Sequence, residues 1–149
     1  MKWSLVVVVA LAACGPTPPK PCAVAITPGT ADDNLVFVPV TEGQDVTVHM
    51  GPQGGFHVYG SIQATGVNRT GKLTMQLMRA DGTGLSGLRS FDLATITLED
   101  VPCGWGRTAD ALFLDVMTID QARGQSATMV WSLSGTNADQ KVERHITLR

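Results

Sequence analysis

From Cys22 onward, apolar and polar residues alternate along stretches that are separated by Gly, Pro, Asp and Asn. The clearest stretches are 56–62, 72–77 and 126–133. A period of two places every second side chain on the same face of a strand, so each stretch can bury one face and expose the other. No stretch shows the 3.6-residue period of an amphipathic helix. The pattern therefore predicts an all-β chain that needs no helix.

The turn residues recur often enough to divide residues 22–149 into many short strands within a single domain. The predicted strands are 23–27, 35–40, 45–50, 56–65, 72–79, 89–98, 111–119, 126–133 and 142–148. Short alternating strands at this spacing favour an antiparallel β-sandwich of immunoglobulin-like character, with a small β-barrel as the alternative. A hydrophobic content of 44% is sufficient for a packed core.

Residues 1–13 have the features of a signal peptide. Lys2 supplies a short positive region, and residues 5–13 form an unbroken apolar run that is too short to span a membrane. The run ends in Leu11, Ala12, Ala13 and Cys14, which closely resembles the lipobox of bacterial lipoproteins. This resemblance implies that Cys14 becomes the lipidated mature N-terminus. Two or three acyl chains on that residue would form a stable membrane anchor.

Residues 14–21 are predicted to form the lipidated cysteine and a tether. Four prolines in residues 15–21 remove backbone donors and favour an extended chain. The likeness to lipoproteins places the domain in the cell envelope. Gly15 stands where enteric lipoproteins retained in the inner membrane carry Asp, so the resemblance favours the outer membrane.

Three cysteines are present, and Cys22 and Cys103 remain once Cys14 is assigned to lipid. An even number of thiols in an oxidising compartment predicts one disulfide, with two buried free thiols as the alternative. The spacing is wider than that of the usual immunoglobulin bridge, so the cysteines do not identify that fold. The sequence has no CxxC pair, so the cysteine spacing supports neither a redox motif nor a zinc site.

The segment 51–55, Gly-Pro-Gln-Gly-Gly, joins two well-patterned strands. Placing Met50 opposite Phe56, with both side chains facing the core, keeps the apolar faces in register. The same register places His49 opposite His57 on the outer face, with β-carbons about 5 Å apart. Such a pair can bind copper or zinc. Two ligands do not close a site, however, and the pattern favours the alternative of two solvated side chains without a cofactor.

The same Gly-Pro-Gln-Gly-Gly turn, followed by an aromatic residue and His, resembles a segment of uncharacterised lipoproteins and secreted proteins of myxobacteria. The resemblance covers about ten residues. It implies a shared fold and transfers no catalytic or binding residue.

The remaining features favour a binding or structural module over an enzyme. The formal charge of −2 provides no positive field for nucleic acid or anionic lipid. The likeness to lipoproteins implies the lipid bilayer as a partner, through the acylated N-terminus, together with an envelope protein. We find no nucleophile–base arrangement and no carboxylate pair in a supporting context. Trp105 lies between two glycines in a predicted loop, where it can be an exposed binding anchor or can cover the end of the core.

Overall fold

The computed structural model describes residues 21–149, so the predictions for the signal peptide, for Cys14 and for most of the tether lie outside the described residues. Two β-sheets pack together, and one of them is strongly curled into a half-barrel. The prediction of an all-β sandwich is therefore confirmed.

In chain order, the elements are eleven strands and one helical turn in the described part of the chain. They are β1 (Ala25–Ala31), β2 (Phe37–Pro39), β3 (Gln44–Val46), β4 (His49–Met50), β5 (Phe56–Thr65), β6 (Lys72–Arg79), β7 (Arg89–Asp92), β8 (Glu99–Val101), β9 (Gly104–Phe113), α1 (Ile119–Ala122), β10 (Ser126–Ser134) and β11 (Gln140–Leu148).

Each sheet is built around a long central strand. The first sheet has the order β2-β1-β5-β9-β8, and β4 pairs with the first residues of β5. The second sheet has the order β3-β11-β10-β6-β7. The pairing of β3 with β11 is parallel, whereas the other strand pairs are antiparallel as predicted.

The core lies between the sheets and follows the alternation of the sequence. On β10, buried and more exposed residues alternate from Ser126 to Ser134, and β6 shows the same alternation. Burial of such side chains supplies the main favourable free energy of folding. The largest fully buried side chains include Trp105, Trp131, Ile62, Leu73, Met75, Leu77, Leu112 and Met129.

The structure differs from the predicted strands around β9. The predicted strand 111–119 ends at Phe113, and the observed strand begins at Gly104, in a segment that the glycines had indicated as a loop. The helical turn α1, which was not predicted, begins at the last residue of the predicted strand. Within residues 21–149, no helix has the length and apolar character needed to cross a membrane.

The predicted disulfide between Cys22 and Cys103 is present, with their Cα atoms 5.8 Å apart. It joins the segment that precedes β1 to the turn between β8 and β9. The N–H of Gly66, just beyond β5, donates a hydrogen bond to the carbonyl oxygen of Cys103 at 3.0 Å. The disulfide therefore fixes the start of the domain to one end of the first sheet.

Candidate functional site

The hairpin formed by β4 and β5 lies at the opposite end of the first sheet from the disulfide. Residues 51–55 form its loop, and the pairing of Met50 with Phe56 and of His49 with His57 is the predicted register. The N–H of Gly51 donates to the carbonyl oxygen of Gly55 at 2.7 Å, which closes the loop. The sequence therefore predicted correctly which residues face each other across the hairpin.

The burial of two hairpin residues differs from the prediction. Met50 was expected to point into the core and is 73% exposed, whereas His57 was expected to face solvent and is only 7% exposed. Val48 and Met50 point to the same face of the chain, and the exposed fraction rises from 8% at Val48 to 73% at Met50. The core therefore ends before β4 does. Phe56 is partly buried and packs against the core, as expected.

Neighbouring aromatic rings explain why His57 is buried on the outer face. Its ring centroid lies 5.7 Å from that of His49, 5.0 Å from that of Tyr59 and 5.6 Å from that of Phe113. His49 also packs against Tyr59, with the centroids 4.7 Å apart. We call His49, His57, Tyr59 and Phe113 together the imidazole cluster. Three strands, β4, β5 and β9, contribute to it.

The environment of His57 disfavours its protonated form. Burial lowers the pKa of His57 below its usual value, and a positive charge on His49 lowers it further. The Nδ1 atom of His57 is buried and has no hydrogen-bond partner in the described part of the chain. A buried polar atom without a partner is rare in folded proteins and calls for an explanation.

Large exposed apolar side chains concentrate around the same hairpin. The loop between β1 and β2 approaches β4 there, since Asp33 Oδ1 lies 3.7 Å from His49 Nδ1. Phe113 pairs with His57, and the N–H of Leu114 donates to the carbonyl oxygen of Phe56 at 2.8 Å. Five of the seven large hydrophobic residues that are exposed within 21–149 belong to these segments. We call them the apolar end: Leu35, Val36, Met50, Phe113 and Met117.

Acidic side chains surround the apolar end. Asp33 and Asp115 have strongly exposed side chains, and Asp32 lies in the same loop as Asp33. Arg79 is the cation that approaches Asp115, with Nη2 and Oδ2 3.8 Å apart. The surroundings of the apolar end therefore carry a net negative charge.

A second surface, on the outer face of the second sheet, is a shallow groove. Its floor consists of three cross-strand rows from β6, β10 and β11: Met78, Thr128 and His145; Gln76, Val130 and Glu143; Thr74, Ser132 and Lys141. Most of these side chains are polar or charged, and Lys141 forms an ion pair with Glu143. The groove therefore has fewer large apolar side chains to anchor a partner than the apolar end has.

The structure decides between the two interpretations of Trp105. Its side chain is buried in the core, and its Nε1–H donates to the carbonyl oxygen of Val67 at 3.0 Å. Trp105 is therefore a core residue and is not available as an exposed binding anchor. The surface residues that the sequence analysis missed are Phe113, Leu35 and Met117, because alternation does not show where the opposite sheet ends.

No protein-family model matches the chain, and neither a curated protein nor a solved structure has significant similarity to it.

Proposed function

We propose that this protein is a lipid-anchored binding module of the cell envelope that docks a protein partner through its apolar end. The observation that carries the proposal is that Leu35, Val36, Met50, Phe113 and Met117 are exposed and belong to the hairpin or to the two segments that approach it, the β1–β2 loop and the end of β9 with the residues after it. Large exposed apolar side chains that are concentrated at one end of a domain commonly mark an interaction site. The aromatic and methionine side chains present here are the types enriched in such interfaces.

The position of the disulfide supports this orientation. Cys22 begins the domain at the end of β5 that lies away from the hairpin, where Thr65 pairs with Ala25. A lipid on Cys14 would therefore enter from that side. If extended, the seven residues between Cys14 and Cys22 would span roughly 20 Å. The apolar end would then project away from the anchoring membrane. The residue after Cys14, Gly15 in place of Asp, favours the outer membrane as that membrane.

The negative charge around the apolar end indicates what charge the partner's surface should carry. Asp32, Asp33 and Asp115 would repel anionic lipid headgroups and nucleic acid. They would attract Lys and Arg side chains around an apolar patch. The proposed partner is therefore an envelope protein whose surface has an apolar centre and a basic rim.

Anchoring should depend on Cys14. We expect Cys14→Ser to abolish incorporation of radiolabelled palmitate, to block removal of residues 1–13 and to release the protein from the membrane fraction. The physical reason is that the acyl chains supply the hydrophobic free energy of anchoring. Gel mobility and membrane fractionation measure these effects. Normal processing and membrane retention of the variant would contradict the lipoprotein assignment.

Docking can be tested by placing a photocrosslinking amino acid at Phe113 of the anchored protein in the cells that produce it. We expect one discrete adduct, because Phe113 lies in the proposed interface. The same amino acid at the exposed Gln140, near the disulfide end of β11, is the matched control and should give no such adduct.

Two variants then test the chemistry of the interface. Met50→Ser should reduce the Phe113 adduct by removing apolar contact, and Asp33→Lys should reduce it by reversing the charge. An adduct that forms equally from Gln140, or that both variants leave unchanged, would contradict docking through the apolar end.

A further inference from the structure

A proton added to His57 would have no acceptor in the closed hairpin. A protonated imidazole has an N–H group on both ring nitrogens, and each needs an acceptor or water if the charge is not to be costly. His57 is only 7% exposed, and its Nδ1 atom is buried without a hydrogen-bond partner in residues 21–149. The closed hairpin therefore favours the neutral form of His57.

Within the described residues, no group that packs against His57 supplies the missing acceptor. β4 contributes His49, whose ring centroid lies 5.7 Å away, and a proton on His49 repels a second positive charge. β5 contributes Tyr59, and β9 contributes Phe113, which does not titrate. In the loop between β1 and β2, the Oδ1 atom of Asp33 lies 3.7 Å from His49 Nδ1, so this carboxylate pairs with His49 and leaves His57 without a counterion.

The strand beside His57 is short enough to open without disrupting the core. β4 has two residues and, among the described strands, pairs with β5 alone. Met50 is exposed, and the loop is closed by the hydrogen bond from the N–H of Gly51 to the carbonyl oxygen of Gly55. A β-carbon at Gly51 would lie 3.7 Å from His57 Nδ1, so the backbone of the loop runs beside this atom. Opening of the loop would therefore bring water to Nδ1.

We propose that the β4–β5 hairpin is a pH-sensitive latch, which is closed while His57 is neutral and opens in acid so that water reaches the protonated ring. The opening separates β4 from the first residues of β5. It leaves the two sheets and the core between them intact, because β4 lies off the path of the first sheet.

Proton linkage gives the direction and the size of the effect. Burial, and to a smaller extent a charge on His49, hold the pKa of His57 in the closed hairpin below its usual 6.5. In the open hairpin the ring is in water and has its usual pKa. The stability that neutral His57 gives to the closed form is therefore fully present above about pH 6.5 and is lost as the pH falls below that value. The ratio of open to closed hairpin should increase by up to about tenfold for each pH unit, until the pKa of the closed form is reached.

Opening would also rearrange the apolar end. Met50 belongs to β4, and Phe113 is paired with His57 in the register of β5 and β9. Acid should therefore weaken docking through the apolar end. This consequence rests on the proposed function, whereas the opening of the hairpin does not.

The test is amide hydrogen exchange of the full-length protein, purified in detergent without a partner, between pH 7.5 and pH 5. The N–H of Gly51 measures opening of the hairpin once the intrinsic pH dependence of exchange is divided out. We expect its protection factor to fall by about tenfold over this range. The amides of β10, in the middle of the second sheet, should stay much better protected at every pH, which shows that the opening is local.

Three variants assign the effect to His57. His57→Phe keeps a ring in the imidazole cluster that cannot be protonated, so the protection of Gly51 should no longer depend on pH. His145 lies on the second sheet beside Glu42, so His145→Phe is the matched control and should keep the full dependence. Phe113→Ala uncovers the His57 ring, so water should reach it in the closed hairpin and the dependence should become smaller.

Three results would overturn the proposal. One is protection of Gly51 that is the same at pH 7.5 and pH 5, and another is a pH dependence that His57→Phe retains. The third is equal protection of Gly51 and β10 in acid, because the domain would then unfold as a whole.

If His57→Phe fails to fold, Phe113→Ala is sufficient for the test, because Phe113 is 56% exposed and its replacement should leave the core intact. An undiminished pH dependence in that variant would contradict the latch. A normal pH response in a protein that fails to dock would contradict the proposed function alone.

Discussion

Replacement of both Cys22 and Cys103 by Ala is expected to lower the free energy of unfolding by about 4–5 kcal/mol, in the chain-entropy model. The bridge joins residues that are 81 positions apart, so without it the unfolded chain gains the freedom of a very long loop. Such a loss is a large part of the 5–15 kcal/mol or so that stabilises a typical domain. Denaturation in urea, followed by tryptophan fluorescence, measures the difference.

Two controls distinguish the effect of losing the disulfide from the effect of changing the packing around the two cysteines. Cys103 has a φ of +64°, which is unfavourable for a residue with a β-carbon, and Ala keeps that β-carbon so that the backbone strain is unchanged. The unsubstituted protein after reduction should unfold at the same urea concentration as the double variant. A loss of stability below about 1 kcal/mol would contradict the account, because the loop would then already be restricted in the unfolded state.

The strands that sequence alone predicted best have strict alternation and clear turn residues at both ends. The observed bounds of β5 and β6 are the predicted ones, and β10 extends the predicted strand by one residue. These strands occupy the middle of the two sheets, where one face must be buried. Alternation is strongest there because a polar residue on the buried face is costly.

The prediction was wrong where a local rule conflicts with a tertiary requirement. Gly104 and Gly106 indicated a loop, yet both belong to β9 and pair with β5. At Gly104 the two strands approach too closely for a larger side chain. The turn α1 was missed because four residues are too few to show a period. Thr118 and Gln121, which form a capping box, were the available signal.

For the candidate site, the sequence predicted pairing but not burial. The parity of residues in β4 and β5 was sufficient to place His49 opposite His57. It could not show that Phe113, which lies 56 residues further along the chain than His57, would cover the ring. The partners of a face come from other strands, and alternation within one strand contains no information about them.

The second large effect is expected at Gly104. A β-carbon there would collide with the carbonyl group of Ala64 and with the Cα of Thr65 on the neighbouring strand. These are backbone atoms, so they cannot rotate away. Gly104→Ala must therefore push β5 and β9 apart. That movement would also shift Trp105, which is buried and donates from Nε1 to the carbonyl oxygen of Val67.

We expect Gly104→Ala to destabilise the domain by about 3 kcal/mol or more, at the upper end of what overpacking costs. Gly106→Ala is the matched control, two residues along the same strand. Its β-carbon would lie 3.4 Å from Gln63 Cγ and 3.5 Å from the carbonyl oxygen of Ile62, which are ordinary contacts, so its effect should stay within about 1 kcal/mol. Urea unfolding of the two variants measures the difference. If the two variants unfold at the same urea concentration, the strands are not in close contact at Gly104, and close packing does not explain why this position is glycine.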